Sequence, residues 1–203
     1  METGRERKKA GHTKKKILMV SHFMELGGAE RALLGLLNEF DYNKYEVSLF
    51  LFRQEGELLS KIPKEVRLLP EIPQYAMLAC PVSRVLHDGH LWIAAARVAG
   101  KYSARLYNVM HHYGRNSQVE IEYSHKFTRS FMPQITPEIT YDLAVSFLTP
   151  HYFVAEKVKA RKKVAWIHTD YSKIPIDVKS EQKMWQPYDA IAAVSDACQE
   201  AFV

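Results

Sequence analysis

Two glycines, Gly27 and Gly28, separate the apolar run Ile17-Leu-Met-Val-Ser21 from a stretch with apolar residues at Ala29, Ala32, Leu33, Leu36, Leu37 and Phe40. A short apolar run followed by a 3.6-residue period reads as buried strand, loop and amphipathic helix. Without a Cβ, the junction lets an anion approach backbone N–H groups, and the helix N-terminus adds partial positive charge. The chemistry implied is phosphate binding. A second group, His168-Thr169-Asp170, follows the run Val164-Ala-Trp-Ile167. An imidazole there can hydrogen-bond a hydroxyl or move a proton near neutral pH. Asp170 either orients His168 or caps the next turn. Thr149 to His151 and Ser195-Asp196 close two further apolar runs. The chain contains neither G-x-G-x-x-G nor G-x-x-x-x-G-K-[ST], so hydride transfer and P-loop hydrolysis lose their main sequence support. His87/His90 and His111-His112 lack carboxylate or cysteine partners at ligand spacing, and no metal site is expected.

The elements that must position these groups alternate. Strands are predicted at Ile17–Ser21, Glu46–Phe52, Val66–Leu69, Tyr141–Leu148, Lys163–Ile167 and Ala190–Val194. Helices are predicted after Gly28, at Gly56–Ile62 before Pro63, at Tyr152–Val158 and around Glu181–Trp185. A last helix, Asp196–Phe202, is capped by Ser195, whose hydroxyl can accept from first-turn N–H groups. Between them, Ser83 to about Tyr113 reads as helical with an interruption at Gly100, and Asn116–Pro137 as irregular. Strands alternating with helices predict an α/β fold, a doubly wound, mainly parallel Rossmann-like sheet of about six strands. Such sheets bind ligands beyond the carboxyl ends of their strands, where the strand order reverses. All four polar segments fall at carboxyl ends.

At 203 residues, with 47% hydrophobic and 25% charged side chains, the chain suits one α/β domain, assigned to residues 17–203. The net charge of +5 resides entirely in residues 1–16, predicted to be a disordered basic tail; the remainder is neutral. A neutral fold gives no reason to expect a nucleic-acid partner. Arg97, Lys101 and Arg105 recur every four residues, with Trp92, Leu106 and Tyr107 nearby. Such a stripe is a candidate contact to an anionic membrane surface. Cys80 and Cys198 form no C-x-x-C pattern and read as free thiols of a cytoplasmic protein, with peripheral attachment to the inner membrane face as an extension. No run approaches the ~18 apolar residues of a membrane span. The apolar part of Lys14-Lys-Lys-Ile-Leu-Met-Val20 is too short for a signal peptide.

Three segments resemble, in order, those of family-four retaining glycosyltransferases: Glu25-Leu-Gly-Gly-Ala-Glu-Arg31, Val164-Ala-Trp-Ile-His-Thr-Asp170 and Tyr188-Asp-Ala-Ile-Ala-Ala-Val-Ser195. The resemblance implies one half of a GT-B architecture, two Rossmann-like domains facing a cleft. This chain corresponds to the N-terminal, acceptor-side domain and ends before the donor-binding one, so alone it is expected to be inactive. The implied function is transfer of a hexose from a nucleotide-sugar to a glycan or lipid-linked acceptor in cell-surface polysaccharide biosynthesis. The nucleotide-sugar is a substrate, and no cofactor or metal is implied. By position, His168 and Asp170 are the candidate catalytic residues, His168 contacting the transferring sugar or acceptor hydroxyl. Gly27, Gly28, Glu30, Thr149 and Ser195 are candidate substrate-binding residues, the glycines approaching the donor diphosphate. The alternatives are a non-catalytic or split-subunit binding module and a sugar-nucleotide epimerase of the same architecture.

Overall fold

The run Lys15–Ser21 forms β1, buried on both faces from Ile17 onward. It pairs in parallel with β2 (Tyr45–Leu51) on one edge and β4 (Tyr141–Ser146) on the other, placing Ile17 opposite Val47 and Leu143. With β3 (Arg67–Leu68), β5 (Ala160–Ile167) and β6 (Ala190–Ala193), the computed structural model has one all-parallel sheet in the order β3-β2-β1-β4-β5-β6. It describes residues 13–114 and 117–202.

Alternation along β1 divides the core. Ile17 and Met19 point to one face, covered by Leu33 and Leu37 of helix α1 (Gly28–Asn38). Leu18 and Val20 point to the other, covered by Phe153 and Val154 of α6 (Tyr152–Lys157). The crossovers on the two sides of β1 thus lie on opposite faces, and the strand order reverses between β1 and β4. This is the doubly wound fold expected from the alternation. Helices α7 (Val178–Trp185) and α8 (Asp196–Phe202) complete it. The predicted Gly56–Ile62 helix shrinks to a single 3₁₀ turn, Leu59–Lys61.

The segment between β3 and β4 departs from expectation. It carries α2 (Pro73–Ala76), α3 (Val82–His87), α4 (Leu91–Met110) and α5 (Val119–Thr128). The helical stretch breaks at Gly89, with φ of +81°, rather than at Gly100. Gly100 lies inside α4 because α5 packs there: a Cβ would stand 2.9 Å from the Tyr123 carbonyl oxygen. The region predicted to be irregular contains α5, whose buried positions include Glu122, His125 and Thr128. A polar inward face hides the apolar period that marks a helix.

Two further expectations are corrected. Lys15 and Lys16, assigned to the tail of residues 1–16, belong instead to β1, and the Lys16 N–H donates to Asp142 Oδ2 at 2.9 Å. Residues 1–12 lie outside the described residues. Arg97 does not join a surface stripe: its Nη1 donates to the carbonyls of Met77 at 2.8 Å and Cys80 at 2.5 Å. Tyr107 also turns partly inward, with its ring 6.2 Å from that of Tyr123. Lys101 and Arg105 are exposed.

Candidate functional site

The loop after β1 is stitched to the chain after β2. Phe52 N–H donates to Ser21 O, Arg53 N–H to His22 O, Met24 N–H to Glu55 O and Leu58 N–H to Met24 O, all at 2.9–3.1 Å. Gly56 permits this closeness: its φ is +110°, and a Cβ would fall 2.2 Å from the Met24 carbonyl group. The loop thereby delivers Gly27 to the N-terminus of α1.

Gly27 has ordinary extended torsions, φ −109° and ψ 167°. Its glycine identity answers a side chain instead. The Glu30 carboxylate folds back over it, so a Cβ on Gly27 would lie 2.0 Å from Glu30 Oε2. Glu30 is buried and sits in the first turn of α1, where unpaired N–H groups favour negative charge. The anion position predicted at Gly27 therefore holds the chain's own carboxylate. Gly28 is open, with nothing within 4 Å of the place a Cβ would take. Beside this loop lies a hollow of 480 Å³ whose lining includes Phe23, Gly27 and Gly56 and three glutamates, Glu25, Glu30 and Glu57.

His168 follows β5 directly, as predicted. Its ring lies 4.4 Å from Phe147 and stacks at 6.1 Å on Trp166. Partial burial lowers its pKa, so the neutral imidazole is favoured. Nε2 is sealed from solvent without a hydrogen-bond partner among the described residues. Asp170 does not orient it. That carboxylate accepts from the Ser172 N–H at 3.1 Å and hydroxyl at 2.6 Å, and pairs with Lys173 at 2.8 Å. Lys173 and then Ser172 hold its pKa down at about 2. Asp170 is the cap of the following turn.

Thr149 stands in the loop after β4, joined to Pro150 by a cis peptide bond. Ser195 follows β6 and caps α8 as expected, accepting from the Cys198 N–H at 3.2 Å. Ser195 also borders a hollow of 520 Å³ with Ile167 and Ala193. The predicted catalytic and substrate-binding residues thus share the carboxyl edge, but they are spread along it. Three strand spacings separate β1 from β6, about 14 Å. A larger hollow of 610 Å³ lies against α7 and α8 and is lined by none of them.

The structure singles out histidines to which the sequence reading gave no role: His22 and His151, which it placed only within polar segments at strand ends, and His125, which it did not name. His22 follows β1 as His168 follows β5, a parallel that was available in the sequence. Its ring stacks on Phe52 at 4.8 Å and lies 5.7 Å from His125, and the two border a 140 Å³ cavity with Phe23 and Tyr75. Burial lowers the His22 pKa to about 4. His125 and His151 are likewise held well below the ordinary value, first by burial and then by neighbouring imidazoles. His151 Nδ1 lies 2.7 Å from Ser146 Oγ. His22 Nε2, His125 Nδ1 and His151 Nε2 are all buried without a partner among the described residues. Behind the carboxyl edge the fold therefore encloses neutral imidazoles whose unpaired nitrogens are closed off from solvent.

Behind them lies a buried polar knot. Glu122 accepts from the Tyr152 hydroxyl, and from Ser180 Oγ at 2.7 Å. Glu181 accepts from Trp185 Nε1 at 2.8 Å and the Tyr171 hydroxyl at 3.1 Å. Burial raises its pKa to about 7. Among the described residues no group of three or more His, Cys, Asp or Glu side chains is arranged to hold a metal ion. Both cysteines are free. Compared with protein families, curated proteins and solved structures, the chain matches none.

Proposed function

We propose that the chain is the acceptor-side domain of a retaining glycosyltransferase, working with a donor-binding domain across the carboxyl edge of its sheet. One observation carries the reading. The segments that resemble family-four enzymes occupy the ends of β1, β5 and β6, and the middle one places there the half-buried His168, whose imidazole burial keeps neutral. Glycosyl transfer requires an acceptor hydroxyl held in line and charge stabilised on the leaving phosphate. His168, free of Asp170, serves the first need as a hydrogen-bond partner of a sugar hydroxyl. The N-terminus of α1 serves the second once Glu30 yields its place over Gly27.

The test is transfer of labelled sugar from a panel of nucleotide-sugars to oligosaccharide and lipid-linked acceptors, by this chain joined to its donor-binding domain. His168→Ala is expected to lower turnover at least tenfold, about 1.4 kcal/mol of barrier, with an unchanged thermal midpoint. Equal turnover in the variant removes His168 from the mechanism. Absence of transfer from every donor overturns the reading.

A further inference from the structure

Helix α4 has two apolar faces. Ile93, Ala96, Gly100 and Ala104 pack inward against the fold. Leu91, Trp92, Tyr102, Leu106, Val109 and Met110 are each between 61% and 73% exposed. At 3.6 residues per turn these six fall within an arc of about 100° on the other side of the helix. They form a continuous stripe about 28 Å long, since each helical residue rises about 1.5 Å. Single exposed apolar residues are ordinary, whereas a contiguous stripe marks a surface that meets something. Trp92 also lies parallel to the half-exposed Phe131, at 6.4 Å and 9°, which widens the patch beyond α4.

The charges beside the stripe indicate what it meets. From Gly89 to Val119 the sequence has no aspartate or glutamate. Lys101 and Arg105 are exposed along one flank of the apolar arc, while Arg97 is occupied by backbone carbonyls. Two copies joined through α4 would bring these cations together with no acidic residue of α4 to receive them. An anionic surface with an apolar interior complements both features. No helix among the described residues is long and apolar enough to cross a membrane, so α4 would lie in the plane. Tryptophan and tyrosine beside cations are suited to that depth.

We propose that α4 docks the protein onto an anionic lipid bilayer, its apolar stripe seated among the upper acyl chains and Lys101 and Arg105 at the lipid phosphates. The proposal rests on this surface alone, and its readout involves no sugar chemistry, so it stands or falls separately from the transferase reading.

The full chain is mixed with vesicles of phosphatidylglycerol and phosphatidylcholine, and with phosphatidylcholine alone. Trp92 is a built-in reporter, since Trp185 is only 5% exposed and Trp166 is partly buried. Sedimentation with the anionic vesicles is expected, with a blue shift of emission and quenching by brominated acyl chains. Trp92→Phe should keep the sedimentation and lose most of the quenching. The paired exposed changes Leu106→Ser and Met110→Ser should weaken partitioning at least tenfold at an unchanged thermal midpoint. Lys101→Gln with Arg105→Gln should weaken it and reduce its salt dependence. Basic residues before β1 can also draw the chain to anionic vesicles, but they would not bury Trp92. Sedimentation without quenching, or partitioning unaffected by the serine changes, overturns the proposal. A dimer in the ultracentrifuge that the serine changes dissociate, with no lipid quenching, assigns the face to a second copy and also overturns it.

Discussion

Glu30 and Gly27 act as a pair, and neither identity is explained without the other. The carboxylate needs the missing Cβ, and the glycine has no torsional reason of its own. Gly27→Ala should displace the carboxylate with little change to the backbone, because the clash is with a flexible side-chain end. Gly28→Ala meets nothing and should be neutral or stabilising by about 0.5–1 kcal/mol, the usual gain of alanine over glycine in a helix. If a donor diphosphate uses this turn, Glu30→Gln should tighten nucleoside-diphosphate binding several-fold by removing a like charge, as read by calorimetry. Unchanged affinity would place the diphosphate elsewhere. The sequence pointed to this turn through its glycines and to His168 through its position after a strand. It did not reveal that Glu30 fills the turn, because a side chain folding back on its own helix leaves no spacing signature.

At the scale of elements, the strands were legible as short continuous apolar runs, and the helix after Gly28 by a 3.6-residue period. Helix α5 was not, since its buried face carries Glu122, His125 and Thr128. Glu122 is accommodated by partners distant in sequence, the Tyr152 hydroxyl and Ser180 Oγ, whereas the Thr128 hydroxyl donates to the nearby Ser124 carbonyl at 2.7 Å. Gly100 was misread for the complementary reason. Glycine often ends a helix, but here it admits a neighbouring backbone. Gly100→Ala would put a methyl 2.9 Å from the Tyr123 carbonyl oxygen, a rigid neighbour. Overpacking of that kind costs about 1–3 kcal/mol, more than the helical preference of alanine returns. The expected result is a lower urea midpoint with the slope retained. An unchanged or higher midpoint would mean that α4 and α5 can separate freely.

The whole molecule titrates as a contest between buried groups of opposite sense. His22 has a pKa of about 4 in the folded state against an ordinary 6.5, so the unfolded chain binds more protons between those values. Stability from this group is complete above pH 6.5 and declines by about 3 kcal/mol as pH falls toward 4. His125 and His151 act in the same direction. Glu181 acts oppositely: with its pKa raised from 4.5 to about 7, the folded state keeps a proton that the unfolded chain releases. Its contribution is present below pH 4.5 and is lost, by about 3 kcal/mol, as pH rises to 7. Burial raises the Glu122 pKa in the same sense as Glu181. The three imidazoles outnumber the two carboxyls, so the urea midpoint should climb from pH 4.5 to 6.5, and Glu181→Gln should steepen the climb. A midpoint that falls over this range would contradict the burial of the histidines. The position of β1 has a separate consequence, for synthesis. The strand at the centre of the sheet is made well before its bond partner Asp142 on β4, which lies 126 positions later. At roughly 5–20 residues per second, one edge of a strand carrying the apolar run Ile17–Val20 waits unpaired for about 6–25 seconds on the ribosome. Chains stopped before Tyr141 should therefore aggregate or be recovered with chaperones, whereas chains that extend through β5 should not. Soluble, monomeric nascent chains that stop before Tyr141 would show that something else shields that edge.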